Sequence, residues 1–167
     1  MRPALAGLCG IVFLIHCSDA MAPGPGLFRA RLSGARVAGL AGDADGSAFF
    51  SVEYPDARFA IRMFDSDQEE LRALVLHCPG ETPPGPGSYD LSGSDADCAG
   101  TYSRVRTDSL GGTILEQADA VSGRLTISGL DAGELTGSFN FQGTLVVGSD
   151  SGGTLFATGA FSATTEP

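Results

Sequence analysis

The sequence predicts an all-β protein, an antiparallel sandwich or barrel of about nine or ten strands behind a signal peptide. Three observations predict it. Apolar and polar residues alternate with period two over most of the chain, which puts one strand face in a core and the other in water. Gly and Pro, 24 and 9 of 167 residues, punctuate that alternation often enough for short strands, yet fall short of low complexity. Residues 122–141 read directly as strand, turn, strand.

The first element is the leader. Arg2 is followed by twelve uncharged residues, Ala4 to Ile15. That length suits the apolar region of a signal peptide and is too short to span a bilayer. Residues 1–16 are therefore expected to be a signal peptide and 17–26 a Pro/Gly-rich tether, with a single all-β domain over 27–164. A domain of that size is long enough to bury one substantial core. The stretch Leu14, Ile15, His16, Cys17 resembles a bacterial lipobox, whose cysteine is acylated and becomes the mature N-terminus. His16 stands where such signals carry Gly, Ala or Ser. Ordinary cleavage after Ala20, with Ser18 at −3, is the alternative. The first route gives a lipid-anchored envelope protein with Cys17 in the membrane; the second gives a soluble periplasmic or secreted one.

In the body, Phe28, Ala30 and Leu32 share one strand face, with Arg29 and Arg31 on the other. Ala48, Phe50 and Val52 follow, then Phe59, Ile61 and Met63, with Arg58 and Arg62 opposite. Asp65 to Leu74 is ambiguous. Ser66 and Glu69 have capping-box spacing, but the β-like run Ala73 to Cys78 favours a hairpin turn into a strand over 71–78. Leu74, Leu76 and Cys78 share its face. Tyr89 and Leu91 end a Gly/Pro loop, and Tyr102 and Val105 mark the next strand. Leu125 and Ile127 lead to a turn over Leu130–Gly133. Leu135, Gly137, Phe139 and Phe141 then share a face, as do Leu155, Ala157, Gly159, Phe161 and Ala163.

Cysteine arithmetic follows from export. Cys9 lies in the leader, and Cys17 is acylated or removed. Cys78 and Cys98 remain, in a compartment that permits a disulfide. Their bridge closes a loop of about 21 residues, worth roughly 3 kcal/mol on the chain-entropy account.

The stretches "PGSYDL" (86–91), "GTYS" (100–103), "SGRLTISGLDAGELTGSFNF" (122–141) and "GAFSA" (159–163) resemble those of a family of small exported bacterial β-rich, lipoprotein-like proteins of unknown function. The resemblance spans about residues 59–163, while 34–58 departs from it. It implies the fold and export, with the motif residues serving as turn glycines and core side chains.

Charge and composition exclude more than they propose. The formal net charge is −10 and every basic residue is Arg. A negative surface repels phosphate backbones, so nucleic acid is not expected as a partner. "LHC" (76–78) and "SDSGG" (149–153) echo trypsin-like signatures, but Ser149 precedes Asp150 where Gly is required. His77 and Ser151 also lie too close in sequence for a two-barrel protease. "DADGS" (43–47), "DSDQEE" (65–70) and "DAD" (95–97) place acids at alternate positions without the Gly and Glu of a calcium loop, and read as solvated turns. No metal, cofactor or catalytic residue is therefore expected. Two non-catalytic roles stay open: a structural or interaction role in the envelope, or a carrier holding a small apolar ligand within the β core.

Overall fold

The computed structural model describes residues 23–35, 42–66, 70–92, 97–108, 111–147 and 151–166. The leader, Cys9 and Cys17 lie outside the described residues. Nine strands run in order: β1 Leu27–Ala35, β2 Gly42–Glu53, β3 Arg58–Ser66, β4 Glu70–Pro79, β5 Gly87–Asp90, β6 Ala99–Asp108, β7 Gly111–Asp131, β8 Glu134–Val147 and β9 Thr154–Thr165. There is no helix among the described residues.

Eight of these strands close on themselves. The order β7-β6-β4-β3-β2-β1-β9-β8 returns to β7 through the long β7–β8 pairing, and every neighbouring pair in that ring is antiparallel. Closure leaves no free edge in the ring, the arrangement that best protects a sheet from pairing with other chains. β5 is the ninth strand. It pairs with Leu125 and its neighbours on β7, along the edge that β6 occupies further on, so β5 and β6 lie end to end.

The interior is the apolar half of the alternation. Phe28, Phe59, Ile61, Met63, Leu76, Leu125, Phe139 and Phe161 are all buried. Each such side chain contributes about 2 kcal/mol by transfer out of water. Large rings fit because glycines face them across the strands. Gly137 lies opposite Phe161, and Phe139 opposite Gly159. A Cβ on Gly137 would come within 2.7 Å of the Phe161 ring, and one on Gly159 within 2.8 Å of Phe139. The Gly-x-Phe spacing, used once on β8 and once on β9, thus makes two reciprocal ring-on-glycine contacts.

The two ends of the barrel differ. At the near end the chain enters at β1 and leaves after β9, and the β2–β3, β4–β6 and β7–β8 connections turn there. The β7–β8 turn is the tight two-residue kind: Ala132 and Gly133 both have positive φ, and Asp131 faces Glu134. At the far end lie the β1–β2, β3–β4, β6–β7 and β8–β9 connections. After Asp65, β3 and β4 pair as neighbours with Ser66 opposite Leu71, and residues 67–69, including the Glu69 of the capping-box spacing, lie outside the described residues.

Three expectations are adjusted. Pro23 is buried and the Leu27 amide bonds to the Gly24 carbonyl, so the last residues of the expected tether lie against the domain. "DADGS" is not a turn but the start of β2, where Arg29 of β1 faces Asp45 across the ladder. Its small residues suit a place where strands crowd: a Cβ on Gly46 would strike the Phe64 carbonyl at 2.1 Å. Finally, β7 begins at Gly111, eleven residues before the visible hairpin signal at Ser122.

Candidate functional site

Two polar clusters stand out, one inside the barrel and one outside. The inner one follows from strand parity. On β4, Leu74 and Leu76 point inward, so Arg72 and Glu70 share their face. On β3, Met63 points inward and so does Asp65; on β6, Tyr102 and Arg104; on β7, Ala118 and Glu116. Register aligns them side by side. Asp65 faces Arg72, Arg72 faces Arg104, and Arg104 faces Glu116.

The pairing is tight. Arg104 donates from Nε and Nη2 to the two Glu116 oxygens at 3.1 and 2.9 Å, and from Nη1 to Glu70 at 3.1 Å. Arg72 meets Asp65 at 3.2 Å, and Arg106 reaches Glu70 at 3.5 Å from the rim. Glu116 is only 8% exposed. Burial by itself would lower the Arg104 pKa, but the carboxylates of Glu116 and Glu70 overcome it and hold the guanidinium charge more firmly than usual.

Beneath this row lies a second, Met63–Leu74–Tyr102–Ala118–Leu145, again facing inward on adjacent strands. Tyr102 is fully buried and its hydroxyl has no hydrogen-bond partner within the protein. Burial and the Glu116 charge push its ionisation far above the ordinary tyrosine range, so the hydroxyl stays neutral.

The outer cluster sits at the near end. Arg62 donates to Ser51 Oγ at 2.8 Å, to Glu166 at 2.8 Å and to Glu53 at 2.6 Å. His77 Nε2 meets the other Glu53 oxygen at 2.9 Å. Burial raises the Glu53 pKa, but the Arg62 hydrogen bond and the His77 and Arg62 charges more than offset this, leaving it below 4.5. The Glu166 amide also bonds to the Phe50 carbonyl, so this cluster clasps the end of the chain to β2 and β3.

These placements decide several sequence-level ideas. His77 and Ser151 lie at opposite ends of the barrel, β4's last turn against the β8–β9 connection, so they form no catalytic pair. His77 instead serves Glu53. Among the described residues no three His, Cys, Asp or Glu side chains are grouped as a metal site. Cys78 and Cys98 are joined in a disulfide. It ties the end of β4 to the start of β6 and closes the segment that carries β5. A groove of about 730 Å³ on the outer wall, lined by Arg29, Arg31, Asp45, Ser138 and Thr158, brings no buried polar group to a ligand.

The inner row escaped the sequence because its members are polar. Asp65, Glu70, Arg72, Arg104 and Glu116 look like solvent-facing residues until parity is counted from the apolar neighbours. That count was available for β4 and was hidden on β6 and β7 by a bulge between Arg104 and Val105.

No family model, no curated protein and no solved structure matches this chain.

Proposed function

We propose that the protein is an exported, lipid-anchored envelope domain with a structural or interaction role and no catalysis. The observation that carries this reading is where the chain enters the barrel. An apolar leader ending at "LIHC" is followed within six residues by Pro23, which already lies against the near end. A span of six residues reaches about 20 Å at most. A lipid on Cys17 would therefore hold the near end close to the membrane and turn the far end away from it. The Cys78–Cys98 bridge suits an oxidising compartment, and the resemblance to exported β-rich proteins points the same way.

The test is the intact mass of the mature protein from its own cells, reduced and non-reduced. The expected mass begins at Cys17, carries a diacylglyceryl group and rises by about 2 Da on reduction. A lipid-free mass beginning at Met21 would overturn the anchor while leaving the exported domain.

A further inference from the structure

We infer that the outer wall of β1, β8 and β9 holds a binding site for a small organic acid. Arg31, with Arg29 beside it, takes the carboxylate or phosphate head, and Phe156 takes the apolar body. Nothing in this site depends on the lipid anchor. The carrier reading moves from the core, whose side chains are buried among one another, to the outside of the barrel.

Parity makes the site. β1 points Phe28, Ala30 and Leu32 inward, so Arg29, Arg31 and Ser33 stand on the outer face. β9 points Leu155, Ala157 and Phe161 inward and leaves Phe156, Thr158 and Ala160 outside. Register sets Arg29 beside Ala160, Arg31 beside Thr158 and Ser33 beside Phe156. On β8, Ser138 and Asn140 come next. Short side chains beside long ones leave the wall recessed. The groove of about 730 Å³ runs over Ala160, Ser138 and Thr158. A second, of about 300 Å³, shares Arg31 and Thr158 with it and leads on to Phe156. Both volumes suit a small molecule, whose sites span roughly 300–1,000 Å³.

Charge is the second observation. The chain carries a net −10, with 20 acidic residues to 10 basic ones. Arg58, Arg62, Arg72, Arg104, Arg106 and Arg124 each meet a carboxylate. Arg29 and Arg31 meet none among the described residues. The acids near them are confined to one side. Across the β1–β2 ladder their neighbours are Asp45 and Asp43; across the β1–β9 ladder they are Ala160 and Thr158. An anion is therefore repelled on the β2 side and drawn to the β9 side, where a guanidinium fork takes two oxygens at once. Ser138 and Thr158 add hydroxyl donors there.

Phe156 then selects the body. It is 47% exposed, and its ladder neighbours Ser33 and Gln142 are polar, so neither flanking strand covers its ring with an apolar side chain. It stands diagonal to Arg31, a separation of about 7 Å between side-chain roots in such a ladder. A molecule with an oxyanion at one end and a ring at the other spans that distance. A cation would face two unpaired guanidiniums, and a neutral molecule would leave both unpaired.

The test is titration of the full chain with phenylacetate, phenyl phosphate, phenylacetamide and acetate, followed by amide shifts in NMR spectra. The two ring-bearing anions are expected to bind saturably and to shift amides of β1 and β9. The tighter of the two identifies the head group. Phenylacetamide lacks the charge and acetate lacks the ring, and each is expected to bind at least about fivefold more weakly. Arg31→Gln and Phe156→Ala are each expected to weaken phenylacetate about fivefold. Both side chains are exposed, so both variants should keep the wild-type Tm. Arg124→Gln, which alters an exposed arginine already near Asp90, should bind like wild type. Any of four results would overturn the site: no saturable binding with shifts on β1 and β9, phenylacetamide or acetate binding as tightly as phenylacetate, unchanged binding to either Arg31→Gln or Phe156→Ala, or an equal loss in Arg124→Gln. The last would mean that net charge alone attracts the anion.

Discussion

The near and far ends of this barrel treat charge in opposite ways. At the near end the interior is aromatic, with Phe28, Phe50, Phe59 and Phe161, and the charges of Glu53, Arg62, His77 and Glu166 lie on the outer wall. At the far end the interior itself carries Asp65, Arg72, Arg104 and Glu116. Both clusters are built by register across neighbouring strands, and both satisfy an arginine with two carboxylates. They differ in surroundings. The Glu53 side chain keeps 32% of its exposure and Glu116 only 10%. Outside, water screens each pair and each is worth little alone. Inside, a pair is costly to assemble and costlier to break. The near end is therefore built for stability, with packing and a disulfide. The far end spends stability on polar groups that a purely structural plug would not need.

Four perturbations sharpen or break that contrast, from the largest effect to the smallest. Gly159→Val puts a branched side chain against the Arg29 carbonyl and the Phe139 ring, and is expected to cost about 4 kcal/mol in urea unfolding. A cost under about 1 kcal/mol would mean the aromatic half has room to spare. Replacing both Cys78 and Cys98 by Ala should cost about 3 kcal/mol under oxidising conditions and nothing in reductant. Equal stability in both buffers would deny the bridge any part in the near end's strength.

Glu116→Gln removes the carboxylate that accepts two bonds from Arg104. It is expected to cost about 2 kcal/mol, less than for a fully buried pair because Arg104 is partly wet. Glu53→Gln, its outer counterpart, should cost less than about 1 kcal/mol. If the two costs are equal, the inside–outside distinction fails.

The Glu53 effect also has a pH signature. Its folded pKa lies below 4.5, so its contribution is present above that value and is lost as pH falls through the folded pKa. The stability difference between wild type and Glu53→Gln should therefore be constant near neutral pH and shrink below about pH 4.5. Urea midpoints for both chains from pH 3 to 7 check this. A difference that grows on acidification would mean the carboxyl is held in its neutral form.

Legibility in the sequence followed polarity. The faces of β1, β3, β8 and β9 were readable because apolar residues mark the inside at every second position. The Asp131–Glu134 turn was readable from its glycine. β7 before Ser122 was not, because Glu116 faces inward and register shifts near Gln117 and Ala120 interrupt the two-residue period. Tyr102 was marked as a strand residue, but nothing local to it reveals a buried hydroxyl without a partner. The His77–Glu53 contact was equally invisible, since the two residues meet diagonally across β3, where His77 faces Ala60 and Glu53 faces Arg58.

By itself the sequence determined the all-β class, the antiparallel habit, the inward apolar residues and the two cysteines available for a bridge. Each depends on the identity of a residue and its near neighbours, which alternation and spacing record. Tertiary structure alone decided that the sheet closes into a barrel, and that five charged side chains face its interior. It also decided that the two clusters lie at opposite ends. Those outcomes depend on which strand lies beside which and in what register. Register is set by the sum of many ladder bonds and packed side chains around the whole ring.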